Sequence, residues 1–272
     1  SAAAALEFLQ ACALIHDDVM DGSDTRRGKP AAHRRLASMH RSHGYLGSPE
    51  DFGVGSAILL GDLCLSWSDE LLMASGLPPA ALAAAKPIFD EMRTELMAGQ
   101  YLDLLEQVRG DYSLDSALQV ARYKSAKYTV ERPLHIGAAA AGADDAHLDQ
   151  LSAFGIPLGE AFQLRDDMLG VYGDPQETGK PAGDDLREGK RTALVAIAWE
   201  RADAFQRDLL RQHLGDPAIT PSMVDALRDV ITETGAQAAV EQMIDDRTAT
   251  CREVVAAMDI DEQTRAAFDR LL

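Results

Sequence analysis

The sequence is poor in cysteine, and it has far fewer basic than acidic residues among its 272 positions. Its three cysteines, Cys12, Cys64 and Cys251, form no CxxC pair, so we expect neither a disulfide framework nor a zinc site, and a reducing cytoplasm is the natural setting. Lys and Arg number 26 against 44 Asp and Glu, which gives a formal net charge of −18. This excess of acid argues against a nucleic-acid or anionic-membrane surface and favours partners that bring cations.

Several common sequence signatures are also missing. No apolar run reaches the roughly 18 residues that a membrane span needs. There is no GxxxxGK[ST] loop and no GxGxxG turn after a strand, so the usual nucleotide-binding motifs are absent. The first residues lack the basic segment and cleavage site of a signal peptide. They have the character of a helix interior, so we expect the chain to begin inside an element.

Helical periodicity dominates what is present, and no alternating strand pattern occurs. We therefore predict an all-α fold, a single-domain helical bundle over residues 1–272. Pro87, Pro133 and Pro157 lie inside helical patterns and are expected to kink or break them. The predicted helices cover Ala2–Met20, 52–75, 79–109, 114–141, 145–172, a segment from about Arg191, 203–214, 221–235, 236–257 and 261–271.

A first acidic cluster ends the apolar helix at the start of the chain. Asp17 and Asp21 are four residues apart, so both carboxylates lie on one helix face, about one turn from each other. The helix macrodipole disfavours negative charge at this end, and a divalent cation would relieve the repulsion. Mg²⁺ suits this arrangement because it binds one or two carboxylates together with substrate phosphates and water. The alternative is a solvated acidic helix end.

A second cluster of the same kind, Asp166 and Asp167, follows apolar residues on a later long helix, with Asp174 near the end of that helix. The alternative here is a charged patch paired to Arg165. Since two such clusters occur, we expect their carboxylates to converge on one shared pocket where metal ions can bind.

Basic residues follow both clusters, which in an acidic protein indicates a polyanionic ligand between acid and base. Two metal-ready clusters with cations beside them suit the binding of a diphosphate and its departure as a leaving group. The alternative is mutual ion pairing across the loops, and the lysines at 124 and 127 alone would be surface charges. The basic residues concerned are Arg26, Arg27, Lys29, Lys180 and Lys190, with Lys124 and Lys127 on another helix.

Together these residues closely resemble the trans-isoprenyl diphosphate synthase (polyprenyl synthetase) family. The resemblance runs from about Gln10 to Thr192, and its motifs are ordered and correctly spaced. The matching segments are LIHDDVMDGSDTRRGKPAAH, the GD at 61–62, GQYLDL at 99–104, YKSAKYT at 123–129, FQLRDD at 162–167 and GKPAGDDLREGKRT at 179–192.

The resemblance implies roles for the acidic residues and a cofactor. Asp17 and Asp21 match ligands of two magnesium ions, with Asp18 supporting them. Asp166 matches the ligand of a third ion, with Asp167 nearby, so about three Mg²⁺ are implied per active site. Family members are usually homodimers built as an all-α bundle around a deep central cavity.

The resemblance also implies how two substrates bind and react. Metals pull diphosphate from an allylic substrate, the alkene of isopentenyl diphosphate attacks the cation, and a proton is lost to the departing diphosphate. Ser125 and Gln163 match groups that stabilise the cation, and Lys190 belongs to a closing loop. Residues matching the allylic diphosphate site are Arg26, Lys124, Ser125, Gln163, Lys180 and Lys190, and those matching the isopentenyl diphosphate site are Gln10 and Arg27.

Two departures from the family pattern stand out. The second cluster has Gly170 where a third aspartate is usual, so we expect Asp166 to carry the metal and activity to survive. The family also has an N-terminal Gly-Lys-Arg segment that helps bind isopentenyl diphosphate. The given sequence is expected to begin downstream of that segment.

Small residues before the first cluster bear on product length. A growing tail should run back from Asp17 along the same helix, so Leu9, Cys12 and Ala13 would form the tunnel floor, one turn adding about 5.4 Å. Because short-product members often have aromatic residues at positions 12 and 13, we predict geranylgeranyl diphosphate, with a farnesyl or longer product as alternatives. Close helix packing would also explain the small residues.

Two rival functions remain at this point. A class I terpene cyclase also ionises a diphosphate, and Asp166, Gly170 and Asp174 share the spacing of its second metal motif. The cyclase motif does not have glycine and aspartate at the positions of Gly170 and Asp174. A cyclase also has no need of the RRGKP and GKPAGDD segments. A non-catalytic subunit of a heteromeric synthase is the other rival, but such subunits tend to lose one aspartate cluster.

Overall fold

The computed structural model describes residues 2–110, 112–174, 183–216 and 218–272. The chain divides into two compact units. The first comprises Ser1–Leu82 with Asp174–Ala182, and the second comprises Ala83–Gly173 with Gly183–Leu272. Helices make up nearly all the regular structure of both units, which confirms the all-α prediction. The prediction of a single domain stays a prediction.

The described residues of the first unit form three complete helices, a short hairpin and the first residues of a fourth helix. The opening helix has the predicted bounds, and the third begins at Pro49 because the Ser48 side chain caps it by accepting a hydrogen bond from the Asp51 N–H at 3.1 Å. The second helix was not predicted, since its buried positions are His33, Ala37 and His40, which give no aliphatic stripe. The elements are α1 (Ala2–Met20), β1 (Thr25–Arg26), β2 (Lys29–Pro30), α2 (Ala32–Ser42) and α3 (Pro49–Met73).

Helix α1 packs lengthwise on α3. Its buried stripe of Ala5, Leu9 and Cys12 has the spacing of one helix face. The Ser68 hydroxyl on α3 donates a hydrogen bond of 2.5 Å to the Ala5 carbonyl. This packing fixes the helix that ends in the first acidic cluster.

The second unit holds most of α4 and all later helices. The predicted helix at 114–141 is divided into three parts, and the short helix at 184–188 was not predicted. The helix expected from Arg191 begins at Ala193, and the predicted tail helices are confirmed within about two residues. The elements are α4 (Pro79–Arg109), α5 (Leu114–Val120), a π-helical segment (Ala121–Glu131), α6 (Arg132–Ala140), α7 (Asp145–Tyr172), α8 (Asp184–Glu188), α9 (Ala193–Arg201), α10 (Ala204–His213), α11 (Pro221–Glu233), α12 (Ala236–Ala257) and α13 (Glu262–Asp269).

The three internal prolines have different consequences. Pro87 and Pro157 lie inside α4 and α7, which continue across them, so a break at either proline was wrong. Pro133 is the second residue of α6, directly after the π-helical segment that ends at Glu131. The change from π-helix to α-helix therefore falls beside Pro133, and neither Pro87 nor Pro157 marks such a change.

Glycines let the π-helical segment sit against the helices on both sides. A Cβ at Gly99 of α4 would lie less than 3.0 Å from the Lys124 backbone, and one at Gly159 of α7 less than 3.0 Å from Ala126. Real Cβ atoms essentially never approach so closely. π-Helix is rare in proteins, and where it occurs it is often found at functional sites. The π-helical segment contains the YKSAKYT motif at 123–129, so we expect this motif to belong to a functional site.

A continuous apolar cluster forms the core of the second unit around α7, α9, α11 and α12. Its largest fully buried side chains include Leu164 and Leu194. Within the described ranges, no helix has the length and apolar character needed to cross a membrane.

The close contact at Gly159 leads to a stability prediction. Gly159→Ala should lower the free energy of unfolding by about 1–3 kcal/mol, because the added methyl group overlaps the π-helical backbone. Gly137→Ala on α6 is the matched control, since nothing lies within 4 Å of its added Cβ. The control should gain about 0.5–1 kcal/mol in urea unfolding, because alanine favours a helix over glycine. Equal changes in the free energy of unfolding from both substitutions would contradict the close contact between Gly159 and the π-helical segment.

Candidate active site

The backbone at the end of α1 sets the geometry of the first acidic cluster. The Asp21 N–H donates to the Asp17 carbonyl at 2.8 Å, so the two residues are one helical turn apart. The Ser23 N–H donates to the Asp18 carbonyl at 3.0 Å across Gly22, which has a φ of +67°. This is a Schellman termination, which requires a residue that tolerates the left-handed conformation. Three carboxylates thus gather at the negative end of one helix.

Arg26 pairs with two of these carboxylates. Its Nη2 lies 2.6 Å from Asp18 Oδ1 and 3.2 Å from Asp17 Oδ2, and its Nε donates to Asp18 Oδ1 at 2.9 Å. Asp18 is only 3% exposed. Burial works against the Arg26 charge, but hydrogen bonds and charges from Asp18 and Asp17 outweigh it and raise the pKa of Arg26. The sequence left open whether Arg26 forms ion pairs with these aspartates, and in this structure it does.

The hairpin that carries Arg26 has a strained turn. Arg26 pairs with Lys29, and the two residues between them, Arg27 and Gly28, have φ values of +53° and +71°. Two successive positive φ values define a type I′ hairpin loop. Within the described part of the chain, Arg27 is the one non-glycine residue with positive φ. Arg27 and Lys29 are exposed at the tip of this loop.

His16 anchors the acidic end of α1 to α3, a contact that the sequence analysis missed. Its Nε2 donates to the Ile58 carbonyl at 3.0 Å and lies 3.7 Å from Asp62 Oδ1. A Cβ at Gly61 would overlap the His16 ring. The sequence feature that could have indicated this contact is the GD pair at 61–62, because its glycine leaves room for the His16 ring.

The predicted tunnel-floor residues differ in burial. Leu9 and Cys12 lie fully buried on the face of α1 that packs on α3, whereas Ala13 is half-buried. Burial, with the charges of Cys64 and Asp62, raises the pKa of the Cys12 thiol to about 11. Of the three positions, Ala13 is therefore the one that keeps partial access.

The second cluster lies on α7, and its two aspartates have different surroundings. Asp166 is exposed, whereas Asp167 is 8% exposed. Gln163 Nε2 donates to Asp167 Oδ1 at 2.7 Å, and the Ser125 hydroxyl donates to Gln163 Oε1. The two residues predicted to stabilise a cation, Ser125 and Gln163, are thus hydrogen-bonded to each other and to the cluster.

Arg165 does not neutralise this cluster. Its two terminal nitrogens bind the carboxylate of Glu241 on α12 at 2.9 and 2.8 Å. The alternative of an acidic patch paired to Arg165 is therefore wrong.

Asp167 is held in an environment that resists its charge. Burial, the charge of Asp185 and that of Asp166 raise its pKa from 3.8 to about 8, against the lowering effect of the Gln163 hydrogen bond. Lys190 lies 3.6 Å from Asp185 and 2.8 Å from Glu188. The surroundings of Asp167 therefore disfavour its ionised form, and a cation bound to the cluster would favour that form.

The lysines of the π-helical segment are partnered rather than surface charges. Lys124 Nζ donates to Asp103 Oδ2 of α4 at 2.5 Å. Lys127 pairs with Glu95, which also binds Arg132 at 2.7 Å. Lys124 is adjacent to Ser125 and is oriented by Asp103, whereas Lys127 belongs to an ion-pair network with Glu95 and Arg132. Lys180 lies outside the described residues.

The residues present fit a magnesium ion that is shared with a polyanion. Within the described ranges, no three His, Cys, Asp or Glu side chains are placed to hold a metal alone. Mg²⁺ needs only one or two carboxylates when phosphate and water complete its shell. The clustered carboxylates at the end of α1 and the raised pKa of Asp167 both indicate sites that a cation would stabilise.

The two clusters belong to different units. Asp17, Asp18 and Asp21 lie in the first unit, and Asp166 and Asp167 in the second. That they converge on one pocket stays a prediction.

An all-α fold with two aspartate clusters beside basic side chains defines a helical protein suited to metal ions and polyanions. The sequence model of the polyprenyl synthetase family matches residues 1–231. The chain belongs to the polyprenyl synthetase family.

Individual relatives agree with this assignment. Geranylgeranyl diphosphate synthase of Mycobacterium tuberculosis (strain ATCC 25618 / H37Rv) is 33% identical over 245 residues, which are 90% of this chain and 65% of the relative. Geranylfarnesyl diphosphate synthase of Aeropyrum pernix is 29% identical over 274 residues, covering 99% of this chain and 80% of the relative. The chain spans 65% of the length of the first two curated relatives.

A solved structure matches the fold closely. It is geranylgeranyl pyrophosphate synthase from Corynebacterium glutamicum complexed with isoprenyl diphosphate and magnesium, with a TM-score of 0.96 and 45% identity. The match covers 99% of this chain and 76% of that chain.

The raised pKa of Asp167 predicts how stability depends on pH. An acid with a folded pKa of about 8 and an ordinary value of 3.8 stays protonated in the fold over that range. With EDTA present, the contribution of Asp167 to the free energy of unfolding should therefore be greatest below about pH 4 and fall towards pH 8, by at most about 1.4 kcal/mol per pH unit.

Asp167→Asn should remove this part of the slope in urea unfolding at pH 5, 6, 7 and 8. Asp149→Asn, on an exposed part of α7, is the control and should keep the slope. Identical slopes for wild type and Asp167→Asn would show that Asp167 does not titrate in this range.

Proposed function

We propose that the protein is a magnesium-dependent prenyltransferase that joins an allylic diphosphate to isopentenyl diphosphate. The observation that carries this proposal is the acidic end of α1, where Asp17 and Asp21 lie one turn apart beside Arg26, in a chain of the polyprenyl synthetase family. Relatives named as geranylgeranyl, geranylfarnesyl and farnesyl diphosphate synthases support the reaction class.

In this proposal the acidic residues bind Mg²⁺ through Asp17 and Asp21 on α1 and through Asp166 on α7, with about three ions per active site. When bound there, Mg²⁺ would supply positive charge that stabilises the departing diphosphate. Arg26 would exchange its bonds with Asp17 and Asp18 for bonds to diphosphate oxygens once cations neutralise the carboxylates.

The residues of the π-helical segment would act on the allylic substrate. Lys124, oriented by its bond to Asp103, would donate to a diphosphate oxygen. The oxygens of Ser125 and Gln163 carry partial negative charge and would stabilise the allylic cation left when the C–O bond breaks. The alkene of isopentenyl diphosphate then forms the new C–C bond, and the proton lost from it passes to the departing diphosphate.

The remaining assigned residues complete the substrate sites. Arg27 at the hairpin tip and Gln10 on α1 would bind isopentenyl diphosphate, and Lys180 and Lys190 the allylic diphosphate. The strain at Arg27 fits such a role, because backbone strain collects where a side chain must be presented to a ligand.

We further propose a cytoplasmic homodimer. All three cysteines lie within the described ranges and are buried free thiols, which suits a reducing compartment. Helix α3 leaves a row of large apolar side chains exposed, and such patches mark association surfaces. The side chains are Val54, Ile58, Leu59, Leu63 and Trp67.

Loss of a metal-binding carboxylate should strongly lower the rate of turnover. With radiolabelled isopentenyl diphosphate, C5, C10 and C15 primers and Mg²⁺, wild type should form longer prenyl diphosphates, and EDTA should stop the reaction. Asp166→Asn should lower the rate about 10²–10³-fold, because it removes charge stabilisation of the leaving group. Asp149→Asn on the same helix should leave the rate unchanged. An Asp166→Asn variant with the wild-type rate would contradict the assignment.

The same assay separates the rivals. Hydrocarbon released from a C15 or C20 diphosphate without isopentenyl diphosphate would indicate a terpene cyclase. Activity that appears only after a partner protein is added would indicate a non-catalytic subunit.

Product length is the finer part of the proposal, and we propose geranylgeranyl diphosphate. Ala13→Phe should shorten the main product by about one isoprene unit, because position 13 is half-buried and one turn before Asp17. Ala3→Phe, at an exposed position of the same helix, is the control and should keep the wild-type product. Chain-length analysis by chromatography reads out both variants. An unchanged product from Ala13→Phe would place the floor elsewhere.

A further inference from the structure

A short segment without helical structure joins α8 to α9 and carries Lys190 and Arg191. The Lys190 N–H donates to the Asp185 carbonyl at 3.0 Å, just beyond the end of α8. The Thr192 side chain caps α9 by accepting a hydrogen bond from the Val195 N–H at 3.4 Å. Arg191 therefore lies between two residues that are bonded to the flanking helices.

The Arg191 guanidinium lies on a stack of two aromatic rings. Its Cζ is 4.4 Å from the centroid of the Tyr112 ring. The Tyr112 ring stacks on Trp199 of α9, with the ring centroids 3.9 Å apart and an angle of 7° between the planes. Arg211 of α10 contacts the same stack, with its Cζ 5.4 Å from the centroid of the Trp199 ring. The stack thus joins the segment after α8 to α9 and to the residue that precedes α5.

The stack, rather than hydrogen bonding, holds the Arg191 guanidinium. Its Nε and Nη1 are shielded from solvent, and among the residues that the structure describes neither atom has a hydrogen-bond partner. Burial lowers the pKa of Arg191, and Tyr112 acts in the opposite direction. A leucine would fill this place without leaving buried donors unpaired, so stability alone does not explain an arginine here.

Lys190 lies between two fixed neighbours. Its ammonium turns towards α8, where Nζ lies 2.8 Å from Glu188 Oε2 and 3.6 Å from Asp185 Oδ1. On its other side, a Cβ at Gly189 would lie 2.8 Å from the Gly215 Cα, so the backbones of these two glycines are in close contact. Gly189 is therefore held by its backbone, and Arg191 is held by its side chain.

We propose that Arg191 is a positioning residue for Lys190, because its stack on Tyr112 and Trp199 fixes the backbone from which Lys190 reaches the allylic diphosphate. This inference rests on the proposed function, which assigns Lys190 to that substrate. With the backbone held on both sides, only the Lys190 side chain has to move from the carboxylates of α8 to a diphosphate oxygen. Without the stack, ordering the segment would use part of the binding free energy.

Loss of the stacked guanidinium should weaken the binding of one substrate. Arg191→Leu should raise KM for the allylic diphosphate about tenfold and KM for isopentenyl diphosphate by less than about twofold, because Lys190 is assigned to the first alone. Inorganic pyrophosphate with Mg²⁺ should bind the variant about tenfold more weakly in isothermal titration calorimetry. Arg211→Leu removes the guanidinium on the Trp199 ring and is the matched control, which should keep both KM values.

A readout of stability separates positioning from a general loss of structure. The urea midpoint of Arg191→Leu should equal that of wild type, because removal of buried unpaired donors offsets the lost contact with the ring. An equal rise of both KM values together with a lower urea midpoint would overturn the proposal.

Substitutions of Tyr112 test the same contact from its other side and cover an Arg191→Leu variant that fails to fold. Tyr112→Leu removes the ring and should raise KM for the allylic diphosphate as Arg191→Leu does, whereas Tyr112→Phe keeps the ring face and the wild-type value. Arg191→Leu combined with Tyr112→Leu should bind no more weakly than either single variant, because both remove one contact. A wild-type KM in Tyr112→Leu, or equal KM values in Tyr112→Phe and Tyr112→Leu, would overturn the proposal.

The product assay keeps this inference separate from the proposed function. Wild type that makes prenyl diphosphates while Arg191→Leu keeps its KM and its pyrophosphate affinity would overturn the role of Arg191 alone. Wild type that makes no product, although Arg191→Leu binds pyrophosphate more weakly at an unchanged urea midpoint, would overturn the proposed reaction and support the role of Arg191.

Discussion

Negative charge collected at the end of a helix is the interaction on which this account depends. Asp17, Asp18 and Asp21 all lie where the macrodipole of α1 disfavours them. In the structure Arg26 balances two of these charges at 2.6 and 3.2 Å. Asp21 adds a third carboxylate one helical turn from Asp17. Carboxylates in this arrangement suit Mg²⁺ that shares its ligand shell with phosphate oxygens, and the chemistry proposed for the chain follows from that arrangement.

Close backbone contacts position the groups that surround this charge. Gly61 admits the His16 ring against α3, and Gly99 and Gly159 let the π-helical segment approach α4 and α7. The segment delivers Lys124 to Asp103 and Ser125 to Gln163. In each case a missing side chain permits an approach that sets the position of a polar group. The same principle applies to Gly170, where a Cβ would overlap the Asp185 carboxylate.

Local sequence patterns predicted the parts of the molecule that depend on local rules. The bounds of α1 followed from its apolar character, and the one-turn separation of Asp17 and Asp21 followed from their spacing. Helix α2 was missed because histidines occupy its buried face. The π-helical segment was missed because its good helix formers predict a continuous helix, while its actual form depends on neighbours far away in sequence.

The contact between Gly170 and Asp185 could not be predicted either. The two residues are joined by a loop, and nothing in the spacing of the motifs says which acidic residue returns to α7. The glycine was read as a loss of one carboxylate. In the structure its missing side chain makes room for the Asp185 side chain.

The most direct test of the central claim is a crystal of the full chain grown with Mn²⁺ and inorganic pyrophosphate, with anomalous scattering measured at the manganese edge. We expect manganese beside Asp17 and Asp21 and beside Asp166, each ion in contact with a pyrophosphate oxygen. Pyrophosphate bound without manganese at these aspartates, or manganese at neither cluster, would contradict it.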